Sequence, residues 1–115
     1  RAMVVCPCTT GALAAIANGN SDNLLERAAD VSLKEGRKLI LALRETPLSV
    51  IHLENLLRLA RAGAVILPTS PGFYYRPVTA LELVDFIVAR ILDQLEIPHT
   101  LLPRWGEAVE PRGTL

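Results

Sequence analysis

The chain is poor in the features that most often announce a protein's chemistry. Among 115 residues it has five aromatic side chains (two Phe, two Tyr and Trp105), one Met and two Cys. Cys6 and Cys8 flank Pro7, too close together for an ordinary structural disulfide. Two thiols with no further Cys or His beside them also make a poor zinc site, so no metal is expected. A reducing, cytoplasmic setting is the simplest expectation. An excess of one charge is lacking too. Twelve Lys and Arg balance twelve Asp and Glu, and without a basic run nothing argues electrostatically for nucleic acid. No apolar stretch approaches the roughly 18 residues of a membrane span, and no apolar leader ending in small residues is visible. Ser-His-Asp order, a nucleophile elbow and any Gly-x-Gly are missing, so the usual glycine loop that cradles phosphate is not there.

What is present is patterned apolar sequence, half of all residues. The run Leu39-Ile40-Leu41-Ala42-Leu43 stops at an adjacent cation and anion, Arg44-Glu45. Thr46 is expected to cap a helix with Pro47 in its first position, and helical apolar spacing then continues to Gly63. This predicts a strand over 38–43, a helix over about 47–62 and a second strand over 64–67. Upstream, the same reasoning gives a strand over 2–5, a loop to Gly11 and a small-residue helix over 12–17. A further helix follows over about 22–35, with Ser21-Asp22 as its cap and Gly36 as its stop. His52 lacks a second ligand at metal spacing and reads as a packed or surface imidazole.

Downstream, the loop over 68–77 holds three prolines and three of the five aromatic residues, Phe73, Tyr74 and Tyr75. A capping box, Thr79-Ala80-Leu81-Glu82, opens the last helix, expected to run to about Leu95. That helix is apolar nearly all round and is expected to be buried, in its own core or against another subunit. Arg90, in its middle, needs a partner such as Asp93 or Asp85. Beyond Ile97 a proline-rich tail carries Trp105 as its one large anchor.

Strands alternating with helices predict an α/β fold with a parallel sheet. Parallel strands need covering on both faces, yet the first begins within two residues of Arg1. The expectation is therefore the carboxyl-terminal part of a larger domain rather than a complete three-stranded one. Three strands end in polar loops: Cys8 to Gly11, Arg44-Glu45 and Thr69 to Arg76. Right-handed crossovers would set them along one sheet edge, where α/β proteins bind ligands. Arg27 and Lys34, seven apart, share a helix face; a solvated face with Asp30 and Glu35 as partners is the structural alternative. Spacing and composition end at an anion- or cofactor-binding α/β fragment.

Four segments go further. Val5-Cys6-Pro7-Cys8-Thr9-Thr10-Gly11-Ala12-Leu13-Ala14-Ala15-Ile16-Ala17 is one. Ser21-Asp22-Asn23-Leu24-Leu25-Glu26-Arg27-Ala28-Ala29-Asp30-Val31, Leu43-Arg44-Glu45-Thr46-Pro47-Leu48 and Pro71-Gly72-Phe73-Tyr74 are the others. In this order and spacing the sequence resembles the UbiX-type flavin prenyltransferases, formerly called phenylacrylic or aromatic acid decarboxylases. The likeness runs from Val4 to about Glu107. Family members are longer, and nothing here matches the amino-terminal glycine-serine loop that holds their flavin phosphate.

The resemblance implies a Rossmann-like, three-layer flavoprotein fold, its amino-terminal half missing, in residues 1–97. Residues 98–115 would form a tail packing on a neighbouring subunit of a trimer or dodecamer. It implies transfer of a dimethylallyl group from dimethylallyl monophosphate to reduced FMN, without metal, with the product serving a UbiD-type decarboxylase. By position, Thr9, Thr10, Gly11 and Ala12 would line the flavin, with Arg44 beside it. Arg27, Lys34, Tyr74 and Arg90 would hold the substrate phosphate, some across a subunit boundary. Glu45 would assist proton movement and Trp105 would lie near the mouth of the site. The competing readings are a related flavin-dependent decarboxylase and an FMN-binding or interaction subunit without catalysis.

Overall fold

The computed structural model describes residues 1–74 and 76–101. The chain divides into two compact units, Arg1–Thr69 and Ser70 onward. The first unit contains a parallel sheet of three strands in the order β1-β2-β3, formed by Ala2–Cys8 (β1), Lys38–Leu43 (β2) and Val65–Pro68 (β3). Between β1 and β2 come α1 (Thr10–Ala17) and α2 (Leu24–Lys34), and between β2 and β3 comes α3 (Val50–Arg61). Consecutive neighbouring strands joined by right-handed crossovers place these helices on one face, and α1 does pack on both α2 and α3.

β2 is central, and its apolar run explains why. Leu39, Ile40, Leu41 and Ala42 are all fully buried, so both faces of the strand are covered, as a central parallel strand requires. On the helix-covered face, Leu39 and Leu41 join Val5, Leu13, Ile16, Ala29 and Leu59 in one apolar cluster. Each such leucine contributes on the order of 2 kcal/mol by leaving water.

Element ends depart from the expectations in informative ways. β1 runs on to Cys8 rather than ending at Val5, because the register against β2 slips between Val5 and Cys8 and pairing then resumes. α3 is not capped by Thr46 with Pro47 in its first position. The Thr46–Pro47 bond is cis, and the cap is Ser49, whose Oγ accepts from the His52 amide at 3.2 Å. His52 completes the box, its Nδ1 accepting from the Ser49 amide at 3.2 Å. α2 is capped by Asn23, not by Ser21-Asp22, and its buried side is Glu26, Ala29 and Ser32, while Leu24 is 82% exposed. The Glu26 carboxylate accepts from the Asp22 amide and from Asn23 Nδ2, which explains how a carboxylate is tolerated there.

The second unit is built on α4 (Ala80–Gln94). Thr79 caps it as expected, and the Glu82 carboxylate reaches back to the Val78 amide at 3.0 Å. Of the two expected ways to bury this helix, its own core does not supply one. Leu81, Val84 and Val88 form a solvent-facing stripe, and Ala89 is the helix's one buried residue among those described.

Candidate functional site

The backbone ladder sets one row of strand ends side by side. Cys8 pairs with Leu43, and Leu43 pairs with Pro68. The residues that follow, Thr9, Arg44 and Thr69, therefore leave the sheet along its carboxyl edge. Thr69 tightens that edge. Its amide and its hydroxyl both donate to the Leu43 carbonyl, at 2.9 and 3.2 Å. This clamp holds the carbonyl next to Arg44, a role that Thr69, as the first residue of a polar loop, does not announce in the sequence.

Thr9 caps α1, its hydroxyl accepting from the Ala12 amide at 3.0 Å. The amides of Thr10 and Gly11, in the same first turn, have no carbonyl a turn behind them to bond. Together with the helix dipole they present a donor surface suited to an anion or a carbonyl-bearing ring edge. A Cβ on Gly11 would meet only Thr9 Oγ1, at 3.9 Å, so packing within the chain does not explain this glycine. Arg44 and Glu45 are both exposed beyond the edge of β2. The thiol of Cys8 is turned inward, and burial pushes its pKa up. It behaves as a small apolar side chain and not as a nucleophile.

Arg27 and Lys34 are exposed on α2, and among the described residues neither is in an ion pair, so the expected Asp30 and Glu35 partners are not used. Lys34 ends the helix, and a tight turn through Gly36 (φ 67°) leads to Lys38 at the start of β2. From Lys38 to Arg44 the strand climbs about 20 Å. Lys34 therefore lies toward the amino-terminal edge of the sheet, opposite Arg44, with Arg27 two turns nearer. One copy of this unit does not bring Lys34 and Arg44 together.

In the second unit the structure brings Tyr74 and Arg90 to one side of α4. The Tyr74 ring meets Phe86 edge-on, with centroids 6.2 Å apart and planes at 74°. Gly72 permits this turn, since a Cβ there would lie 2.9 Å from the Phe86 ring. Arg90 follows Phe86 by four residues, one turn along the same face. Its guanidinium is about half exposed, and Nη1 donates to Asp93 Oδ2 at 3.1 Å, not to Asp85. Trp105 lies outside the described residues. Among the described residues no group of three or more His, Cys, Asp and Glu could hold a metal ion. No helix among them is long and apolar enough to cross a membrane.

A parallel α/β sheet whose carboxyl edge combines a helix amino terminus with an arginine and a carboxylate has the ligand-binding edge of open α/β proteins. The chain belongs to the flavoprotein family, whose model matches residues 1–96. Within that class it is similar to curated flavin prenyltransferases named UbiX. The Pseudomonas aeruginosa protein is 62% identical over 107 residues, covering 93% of this chain and 51% of that protein. The Halalkalibacterium halodurans protein is 56% identical, covering 93% and 52%. Among solved structures, one is of AnUbiX (PadA1) in complex with FMN and dimethylallyl pyrophosphate. It matches with a TM-score of 0.90 at 47% identity, over 93% of this chain and 57% of that one. A dodecameric FMN-dependent UbiX-like decarboxylase from Escherichia coli O157:H7 matches at 0.88 and 50%, over 92% and 57%. The chain spans about half the length of the curated relatives it matches.

Proposed function

We propose that this chain forms part of a flavin prenyltransferase that moves a dimethylallyl group from dimethylallyl monophosphate to reduced FMN. The observation that carries the reading is the row Thr9, Arg44, Thr69 at the carboxyl edge of the sheet. The 62% identity to a flavin prenyltransferase supports it.

The residues present fit part of a flavin. The unbonded first-turn amides of α1 would face the polar edge of the ring. Gly11 and Ala12 would let a flat ring lie close, with Arg44 beside it. Bound reduced flavin supplies the nucleophilic ring that accepts the five-carbon group. Arg90 and the Tyr74 hydroxyl would hold the substrate phosphate and stabilise the charge that grows on it as the carbon–oxygen bond breaks. Glu45, exposed and next to Arg44, would take or return the proton that the transfer displaces. Fixing both reactants face to face contributes much of the remaining acceleration.

Lys34 and Arg27 would act beside the Arg44 of a neighbouring subunit, because Lys34 sits at the opposite edge of its own sheet from Arg44. The exposed Leu81, Val84 and Val88 stripe is consistent with a homo-oligomer, trimeric or dodecameric, in which such sharing occurs. Trp105 would close the mouth of the site. A UbiD-type decarboxylase would receive the product, and the free thiols of Cys6 and Cys8 suit a cytoplasmic setting.

The test is to incubate the full-length protein with reduced FMN and dimethylallyl monophosphate without oxygen and to weigh the flavin by mass spectrometry. The reading expects a flavin heavier by one five-carbon unit, with inorganic phosphate released. With Glu45→Gln the flavin should stay bound while turnover falls by roughly a hundredfold. Unmodified flavin with the wild-type protein would leave a flavin carrier.

A further inference from the structure

Arg90 is held by a second residue that is itself held. Asp93 uses both oxygens: Oδ2 accepts from Arg90 Nη1 at 3.1 Å, and Oδ1 meets His99 Nε2 at 2.6 Å. The side chain of Asp93 is 19% exposed and that of His99 is 10% exposed, against 49% for Arg90. The chain of contacts thus runs from a covered imidazole, through a covered carboxylate, to a guanidinium that reaches into solvent.

The imidazole has a defined orientation. His99 Nδ1 accepts from the Leu101 amide at 3.3 Å, so in the neutral ring the proton sits on Nε2 and points at Asp93. One oxygen of Asp93 is thereby engaged by the imidazole, and the other is directed at Arg90.

The backbone is bent to make this possible. α4 ends in a Schellman turn, in which the Glu96 amide bonds the Asp93 carbonyl and the Ile97 amide bonds the Leu92 carbonyl. Glu96, at φ 60°, occupies the left-handed position where glycine is usual. The turn folds residues 97–101 back along the helix end and delivers His99 to Asp93. An aspartate in the last turn of a helix also faces the negative end of the helix dipole, an unfavourable place without cationic or donor partners. Local helix stability does not explain Asp93; its two partners do.

We propose that Asp93 and His99 are positioning residues that aim the Arg90 guanidinium at the phosphate of the allyl substrate. The inference rests on the reading above that Arg90 binds that phosphate. An arginine side chain free on a helix surface samples many rotamers, and binding must then restrict them. Engaging one Nη through a carboxylate that is itself clamped removes much of that freedom beforehand. It leaves the opposite side of the guanidinium fork for the anion.

The experiment uses the full-length, FMN-loaded protein and dimethylallyl monophosphate as the probe, with KM and kcat measured for Arg90→Ala, Asp93→Asn, His99→Ala and His99→Gln. Arg90→Ala should raise KM, and Asp93→Asn should raise it by roughly tenfold, the scale of one lost charge-assisted contact. His99→Ala should raise KM severalfold, while His99→Gln, which still offers an N–H near the Nε2 position, should recover most of the wild-type value. In the Arg90→Ala background, Asp93→Asn should change KM no further. A merely structural Asp93 would weaken the enzyme in both backgrounds and would not distinguish His99→Gln from His99→Ala. If Asp93→Asn does not retain flavin, the two His99 variants decide alone. A raised KM for Arg90→Ala with unchanged values for the Asp93 and His99 variants overturns the inference. An unchanged KM for Arg90→Ala itself overturns the assignment of Arg90 and the inference with it.

Discussion

The carboxyl edge of the sheet and the cluster on α4 place their polar groups by different means. At the edge, Thr9, Arg44 and Thr69 stand where they do because Cys8, Leu43 and Pro68 are in register and Thr69 clamps the Leu43 carbonyl. Backbone pairing over a packed core sets their positions, so no single exposed side chain there holds another in place. On α4 the reverse applies. Tyr74 leans on Phe86, and Arg90 depends on Asp93, which depends on His99. Side chains set the geometry, and each removal should be felt by the next. A scaffold made by register tolerates change at its tips, whereas one made by contacts transmits it.

The largest expected effect tests the first half of that contrast. Arg44→Ala should lower kcat/KM for the proposed prenyl transfer by roughly a hundredfold or more. The melting temperature should stay within a degree or two, because the exposed Arg44 makes no side-chain hydrogen bond or ion pair among the described residues. A large drop in melting temperature would show that the edge is held by its side chains after all. Next comes the scaffold itself. Leu41→Ala, at a fully buried position, should cost about 2–5 kcal/mol in chemical denaturation.

The buried Cys8 gives a smaller, pH-dependent effect. Its thiol is neutral in the fold, with the pKa raised by burial, while in the unfolded chain it ionises at the ordinary thiol value. The folded state then binds the proton more tightly. Stability is fully present below the unfolded thiol pKa and declines as pH rises through it. Denaturation at pH 7 and pH 10 should show this decline, and Cys8→Ala should remove the thiol's share of it. Exposed Cys6 should alkylate well before Cys8. The smallest effect belongs to the α4 turn. Glu96→Gly relieves the left-handed backbone and should change stability by no more than about 1 kcal/mol, in the favourable direction. Any rise in KM with it would mean that the turn also aims Arg90.

Much of the fold was legible because β2 is a continuous apolar run with sharp polar ends, and because Gly36 and Gly63 stop their helices in the left-handed conformation. The α3 cap is not legible in the sequence, because Thr46-Pro47 matches a helix start, while the real box uses His52 where Glu or Gln is the usual signal. The α2 cap lies in Asn23-Leu24-Leu25-Glu26, and the polar pair Ser21-Asp22 just before it offers a competing cap. Which face of α4 would be solvent-facing does not follow from a helix apolar all round, since that depends on what it meets. Spacing leaves both Asp93 and Asp85 open as partners of Arg90, and the structure uses Asp93. His99 was out of reach, because only the fold-back at Glu96 brings it six residues back to Asp93.

The separation of Lys34 from Arg44 across one sheet makes the central claim directly measurable. Full-length Lys34→Ala and Arg44→Ala proteins, each inactive alone in prenyl transfer to reduced FMN, should regain activity when co-expressed as mixed oligomers. Some interfaces then join an intact Lys34 from one subunit to an intact Arg44 from another. Mixed oligomers that assemble normally yet stay as inactive as either parent would contradict the account.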